Sequence, residues 1–254
     1  MFDFRNWLIS LWLMMIFLIS QAKSEQHEIV ERIRAQYKQC AKIYLYEPKV
    51  IESRDGYKLF AADLIKLEPQ ASPERLSSLA RATSSIPVNN CVLRGNRHFL
   101  EHQNFLKELK VNTVVNTDSL VNASSYGKHR LNYLYYPMDA IAYPRGESKK
   151  SLLKALYTLS EATPERKTYI GCFFGKHRTS LVVGIYQFLQ IYAQDSKMIC
   201  QNYGTSLDPA FIQMKEIAGK GLLTYDLPKA FENFYRDFAK SVCEESSKEF
   251  LDKR

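Results

Sequence analysis

The chain has 254 residues, 46% of them hydrophobic, enough to build a sizeable core and too many for a disordered protein. Lys and Arg outnumber Asp and Glu by 35 to 27, and the net charge of +8 favours anionic partners. The basic residues are scattered rather than blocked, which excludes a nucleic-acid-binding arm as the reading of that charge.

The N-terminus, MFDFRNWLISLWLMMIFLISQAKSE, has a short polar start with Arg5 and then 17 uncharged residues from Asn6 to Ala22. Ser20 and Ala22 place small residues three and one before a cleavage point, so residues 1–22 read as a signal peptide. The run also reaches the lower limit for a membrane span of about 20 residues. Asp3 weakens the basic start, and a membrane anchor is the alternative. Removing residues 1–22 takes away one Asp and one Arg and leaves the charge at +8. The expectation is export, to a periplasm or the external medium, with membrane contact only if this segment is retained.

Export changes the reading of the five cysteines, because thiols outside the cytosol tend to pair. An odd count leaves at least one over. With Cys172 set aside, Cys40, Cys91, Cys200 and Cys243 allow three connectivities. The pairs Cys200–Cys243 and Cys40–Cys91 are the first expectation. No CxxC or Cys/His spacing suits zinc and the histidines are dispersed, so neither a metal nor a cofactor is expected.

Residues 23–88 read as a mainly helical N-terminal extension. EQHEIVERIRAQY puts Ile29, Ile33 and Tyr37 on one helical face. Asp55-Gly56 is a turn signal, and Ser72-Pro73-Glu74 is a helix start. From residue 89 to 254 a second unit alternates strands and helices, an α/β pattern with at least partly parallel pairing. FLEHQNFLKELK is amphipathic, residues 111–117 are a β-branched strand, and residues 131–139 are a second strand ended by Pro137. SKKSLLKALYTLSEA is a helix turning Leu152, Leu153, Leu156 and Leu159 inward, and KTYIGCF is a third strand. From Arg178, Leu181, Ile185, Phe188, Leu189 and Tyr192 recur as a core-facing helix. Asp208-Pro209 opens another helix, stopped near Gly219 and Gly221, and residues 228–250 form the last.

The chemistry concentrates in YIGCFFGKHRTS, residues 169–180. A strand, a loop from Cys172 to Arg178 and a helix make a cradle whose backbone N–H groups and helix dipole attract an anion. Gly175 permits the tight turn, and Arg178 offers a planar fork that fits two phosphate oxygens. The same field favours the thiolate of Cys172, the nucleophilic form. Attack on a phosphoryl group would give a phosphocysteine, which water then hydrolyses.

The spacing Cys-x5-Arg-Thr resembles the signature loop of the cysteine-dependent tyrosine and dual-specificity phosphatases, Cys-x-x-Gly-x-x-Arg-Ser/Thr. The Gly-Lys-His-Arg-Thr form is most similar to an atypical dual-specificity branch of plants and fungi with bacterial relatives. CVLRGNRHFLEHQNFLKELKVNTVVN is also similar to the start of that fold, an Arg-Gly turn, a helix and a first long strand. The resemblance covers roughly residues 90–220 and implies a central sheet flanked by helices. It implies Cys172 as nucleophile, Arg178 as phosphate grip and Thr179 as helper of the leaving thiolate. Phe173, Phe174, Gly175, Lys176, His177 and Arg178 would line the substrate. Two departures stand out: Gly171 where the family has a histidine that helps set the thiolate, and Ser180 where glycine is common.

The resemblance also implies a general acid on a loop roughly 30 residues before the cysteine, a spacing that comes from the family and not from the chemistry. Asp139 lies 33 residues before Cys172, followed by AIAYPRGES, which reads as a mobile loop. Glu147 is the second candidate. The alternative role for Asp139 is a turn cap, Lys176 and His177 read equally as solvated loop residues, and Arg94 reads as a structural ion-pair partner rather than a ligand.

These features favour a phosphatase acting on a phosphotyrosine protein, a phosphoinositide or an inositol phosphate. The surplus cations Lys176 and His177 lean toward a polyphosphorylated small molecule. The alternative is a catalytically weak or inactive phosphate-binding module, given Gly171. A sulfurtransferase or arsenate-reductase-like protein is disfavoured by the Arg178-Thr179 pair and the long helix that follows.

Overall fold

A computed structural model describes residues 25–40, 50–52, 58–60, 86–96, 106–107, 110–119, 131–173, 175–219 and 227–252. The signal segment, the Asp55-Gly56 turn, the Ser72-Pro73 helix start, Gly221 and most of the helix expected at 99–110 lie outside these residues.

Helix α1 covers residues 25–37. Two short strands, β1 (Val50–Glu52) and β2 (Lys58–Phe60), pair antiparallel after it, so the extension expected to be mainly helical also contains a strand pair. The main sheet is built from β3 (Ile86–Pro87), β4 (Val92–Asn96), β5 (Val111–Asn116), β6 (Asn132–Tyr135) and β7 (Lys167–Cys172), in the order β3-β4-β7-β5-β6. Strands β4, β7, β5 and β6 run parallel, and β3 lies antiparallel on the edge of β4. The resulting α/β fold agrees with the alternating pattern. Strand β4 does not: the Arg-Gly turn expected at Arg94 and Gly95 is extended backbone, held between β3 and β7. A strand carrying an arginine and a glycine looks like a turn until its pairing is known.

Five helices follow or interleave the strands: α2 (Gly146–Ser160), α3 (His177–Gln194), α4 (Ser196–Asn202), α5 (Pro209–Gly219) and α6 (Lys229–Asp252). The four leucines predicted to face inward from α2 are buried. Helix α3 is buried along nearly its whole length, beyond the single face that its spacing predicts, because α2, α4, α5, α6 and the sheet all pack against it. Its approach to α5 depends on Gly184, where a Cβ would stand 3.0 Å from the Met214 sulfur. Asp208 opens α5 by accepting from the backbone N–H groups of Ala210 and Phe211, and also takes the Tyr235 hydroxyl at 2.7 Å.

Helix α1 is part of the same core. Ile29 and Ile33 are buried as expected, but the next buried position is Gln36 rather than Tyr37. Gln36 is sheltered because its amide is fully used: Nε2 donates to the carbonyls of Leu159 and Ala162 at 2.6 and 2.8 Å, and Oε1 accepts from the Tyr186 hydroxyl at 2.7 Å. Buried amides are tolerated only on such terms. Beside this contact Cys40 is bonded to Cys91 at the start of β4, tying the end of α1 to the sheet. Cys200 is bonded to Cys243, tying α4 to α6, and Cys172 is a free, buried thiol. Closing chain segments of this length stabilises small domains by about 2–5 kcal/mol.

Mass mapping of the unreduced protein should recover Cys40 linked to Cys91 and Cys200 linked to Cys243, with an alkylating reagent found on Cys172 alone. Five alkylated thiols in protein recovered from an oxidising compartment would contradict the pairing.

Candidate active site

The carboxyl ends of four parallel strands converge on one edge of the sheet, and β7 sits between β4 and β5, where consecutive connections leave in opposite directions. Open parallel sheets bind ligands at such a point. Cys172 ends β7 there, opposite Asn96 of β4 and 3% exposed. The chain then turns through Gly175, whose φ of +69° suits glycine and whose N–H bonds back to the Cys172 carbonyl at 3.2 Å. Helix α3 begins at His177, one residue before Arg178, and no side chain caps its start. Its first amides therefore point into the loop with the positive end of the helix dipole behind them.

Arg178 is 7% exposed and steered from two other strands. Its Nη1 lies 3.3 Å from Asp118 Oδ1, 2.9 Å from Ser119 Oγ and 3.4 Å from the Met138 carbonyl. All three contacts use one nitrogen, and Nε and Nη2 make no hydrogen bond among the described residues. The free edge of the guanidinium is the edge that takes two oxygens of a phosphate. Asp118, fully buried just past β5, went unnoticed in the sequence. Its signal there was only an aspartate directly after a β-branched run, 54 residues from Cys172 and joined to the loop by topology alone.

Thr179 is fully buried, and its hydroxyl has no hydrogen-bond partner among the described residues. Such a group costs free energy unless a ligand or a reacting state supplies the bond. Lys176 is half-buried, and burial lowers its pKa from the ordinary lysine value. Phe173 and His177 are half-buried around the loop, and Phe174 lies outside the described residues.

Asp139 is exposed, and its Oδ1 accepts from the backbone N–H groups of Ile141 and Ala142 at 3.0 and 2.9 Å. Those bonds hold its carboxyl below the usual carboxylate range, with the charge of Arg178 adding a smaller pull. The geometry is that of a turn cap placed within electrostatic reach of the loop. The segment that follows, expected to be a mobile loop, makes contacts with α6 and α2. Its Tyr143 hydroxyl donates to Asp237 Oδ2 of α6 at 2.8 Å, its ring meets Phe234, and the Asp139 N–H donates to Ser148 Oγ at 2.9 Å. Glu147 is exposed and ion-paired with Lys150 at 2.7 Å.

Comparison with sequence-family models finds no match, and no curated protein sequence matches. Solved structures do match. The chain is similar in fold to tyrosine and dual-specificity phosphatases. One is TpbA of P. aeruginosa, at 16% identity and a TM-score of 0.45, with 65% of this chain and 92% of that chain covered. Another is PTPMT1, at 13% identity and 0.40, with 65% and 99% covered. OH1 of the Orf virus, a tyrosine phosphatase, matches at 12% identity and 0.39, with 62% and 85% covered. A Cys-to-Ser form of TpbA has been solved in complex with pTyr, and PTPMT1 in complex with PI(5)P.

Asp139→Asn should lower turnover of alkyl phosphates by about 10²-fold if the carboxyl donates the proton, and should matter far less for nitrophenyl phosphate, whose leaving group hardly needs one. Equal losses on both substrates would assign Asp139 to the turn alone.

Proposed function

We propose that the protein is an exported cysteine-dependent phosphatase that hydrolyses phosphomonoesters through a phosphocysteine intermediate. The observation that carries this reading is the combination of a buried free thiol, an uncapped helix start and a buried arginine whose contacts among the described residues all use one nitrogen, within one stretch from Cys172 to Arg178. The loop amides and Arg178 bind the phosphate oxygens and bring phosphorus in line with Cys172 Sγ. The thiolate attacks, the S–P bond forms, and the P–O bond to the leaving alcohol breaks as the alkoxide takes a proton, with Asp139 as the candidate donor. Water then attacks phosphorus, the S–P bond breaks, and inorganic phosphate leaves. The unpartnered hydroxyl of Thr179 is available to donate to the departing sulfur.

Export rests on the apolar run at residues 6–22 and on two disulfides in a chain that keeps its loop cysteine reduced. Among the described residues no helix is long and apolar enough to cross a membrane. We read residues 23–88 as an extension completing the phosphatase-like unit from 89 onward. Lys176, a partly desolvated cation at the loop with no carboxylate beside it among the described residues, would meet a second phosphate, which supports polyphosphorylated small molecules over phosphotyrosine peptides. The alternative, a phosphate-binding module without turnover, is favoured by Gly171, which brings no side chain to the strand position before the nucleophile.

Nitrophenyl phosphate should be hydrolysed by the wild type and not by Cys172→Ser, which should still bind phosphate. Binding without wild-type turnover would select the alternative. On a panel of inositol hexakisphosphate, a phosphoinositide and a phosphotyrosine peptide, Lys176→Ala should lower catalytic efficiency on the first two by about tenfold and spare the peptide.

A further inference from the structure

Arg94 is a buried cation for which the mechanism above has no use. It is 2% exposed, in the middle of β4, and no carboxylate meets it among the described residues. Strand register places it. Asn96 pairs with Cys172, so Arg94, two residues earlier, lies on the same face of the sheet as the thiol. Its Nη2 donates to the Gly175 carbonyl at 2.9 Å and to Ser180 Oγ at 2.7 Å. One group thus grips the loop at its tight turn and the first turn of α3 together. Gly171, on the strand before the thiol, brings no charge of its own.

A charge removed from water needs a counter-charge, and two neutral oxygens do not provide one. The asymmetry is clear against Arg178, which is equally buried but has Asp118. Burial pulls the Arg94 guanidinium down to about 10, and the groups that oppose this are first Cys172 and then Tyr169. It remains cationic at neutral pH.

Building on the phosphatase reading, we propose that Arg94 is the positioning residue of the site: it locks the loop and is the counter-cation of the Cys172 thiolate. Among the described residues, the other charged or titratable groups around that thiol are Arg178, already paired with Asp118; half-buried Lys176 and His177 at the head of α3; Asp139 beyond β6; and Tyr169 on β7. None of the cations among them combines full burial with the absence of a carboxylate partner, as Arg94 does.

The test is the pH profile of iodoacetamide alkylation at Cys172, which reads the thiolate without any turnover, so it stands even if no phosphate ester is hydrolysed. Arg94→Gln keeps a donor for the loop but removes the charge, and its profile should move upward by about one pH unit or more. With turnover present, kcat should fall by about 10²-fold with KM changed less. Arg94→Lys should return the profile toward that of the wild type. A folded Arg94→Gln with an unshifted profile overturns the proposal and leaves Arg94 a loop tie only. Should Arg94→Gln fail to fold, Arg94→Lys decides: an unshifted profile supports the counter-charge role, and an upward shift despite the retained charge overturns it.

Discussion

Among the described residues two guanidinium groups and one carboxylate are buried around one buried thiol, and the proposed chemistry depends on this imbalance. Arg178 and Asp118 satisfy each other across the ends of α3 and β5, while Arg94 meets only neutral oxygens among the described residues. A buried charge without a counter-charge is costly, which under the proposed function favours an anion at this sheet edge. A thiolate and a phosphate are the anions that fit a pocket of backbone N–H groups and one free guanidinium edge. The positive charge is there before any substrate arrives, which is how a site stabilises developing charge without reorganising.

The rest of the fold keeps these groups in register. Parallel pairing of β4, β7 and β5 brings residues from distant parts of the chain to one edge: Arg94, Asp118 and Cys172. The Thr117 N–H and hydroxyl both bond to the Gly171 carbonyl, clamping the strand immediately before Cys172. Helix α3, packed on every side, cannot shift its first turn without disturbing the core. The extension contributes through Gln36, which joins α1 to α2 and α3, and through Cys40–Cys91, which anchors it to the strand carrying Arg94.

The loop was legible in the sequence because its residues are contiguous: Cys172, Gly175, Arg178 and Thr179 carry their own spacing, and the helix after them has an unbroken apolar period. The disulfide pairing followed from parity and from the placement of the two late cysteines on helices. What the sequence hid was held together by topology. Asp118 is separated from Arg178 by a helix and two strands, and nothing local marks it as a partner. Arg94 was masked twice, by the Arg-Gly turn that the resemblance implied and by its reading as an ion-pair partner, whereas among the described residues it meets no carboxylate. Gln36 misled in the same way, its burial depending on three partners, in α2, just after α2 and in α3. Asp139 lies within electrostatic reach of Arg178, and its two backbone bonds could not be read from spacing.

The claim on which all of this rests is that Cys172 Sγ bonds covalently to phosphorus. Mixing the protein with an aryl phosphate, quenching in acid within one turnover and mapping peptides by mass tests it directly. The account predicts the mass of one phosphoryl group on the peptide bearing Cys172, absent in Cys172→Ser. Turnover with no such adduct, or with the phosphoryl group on another residue such as His177, would contradict it.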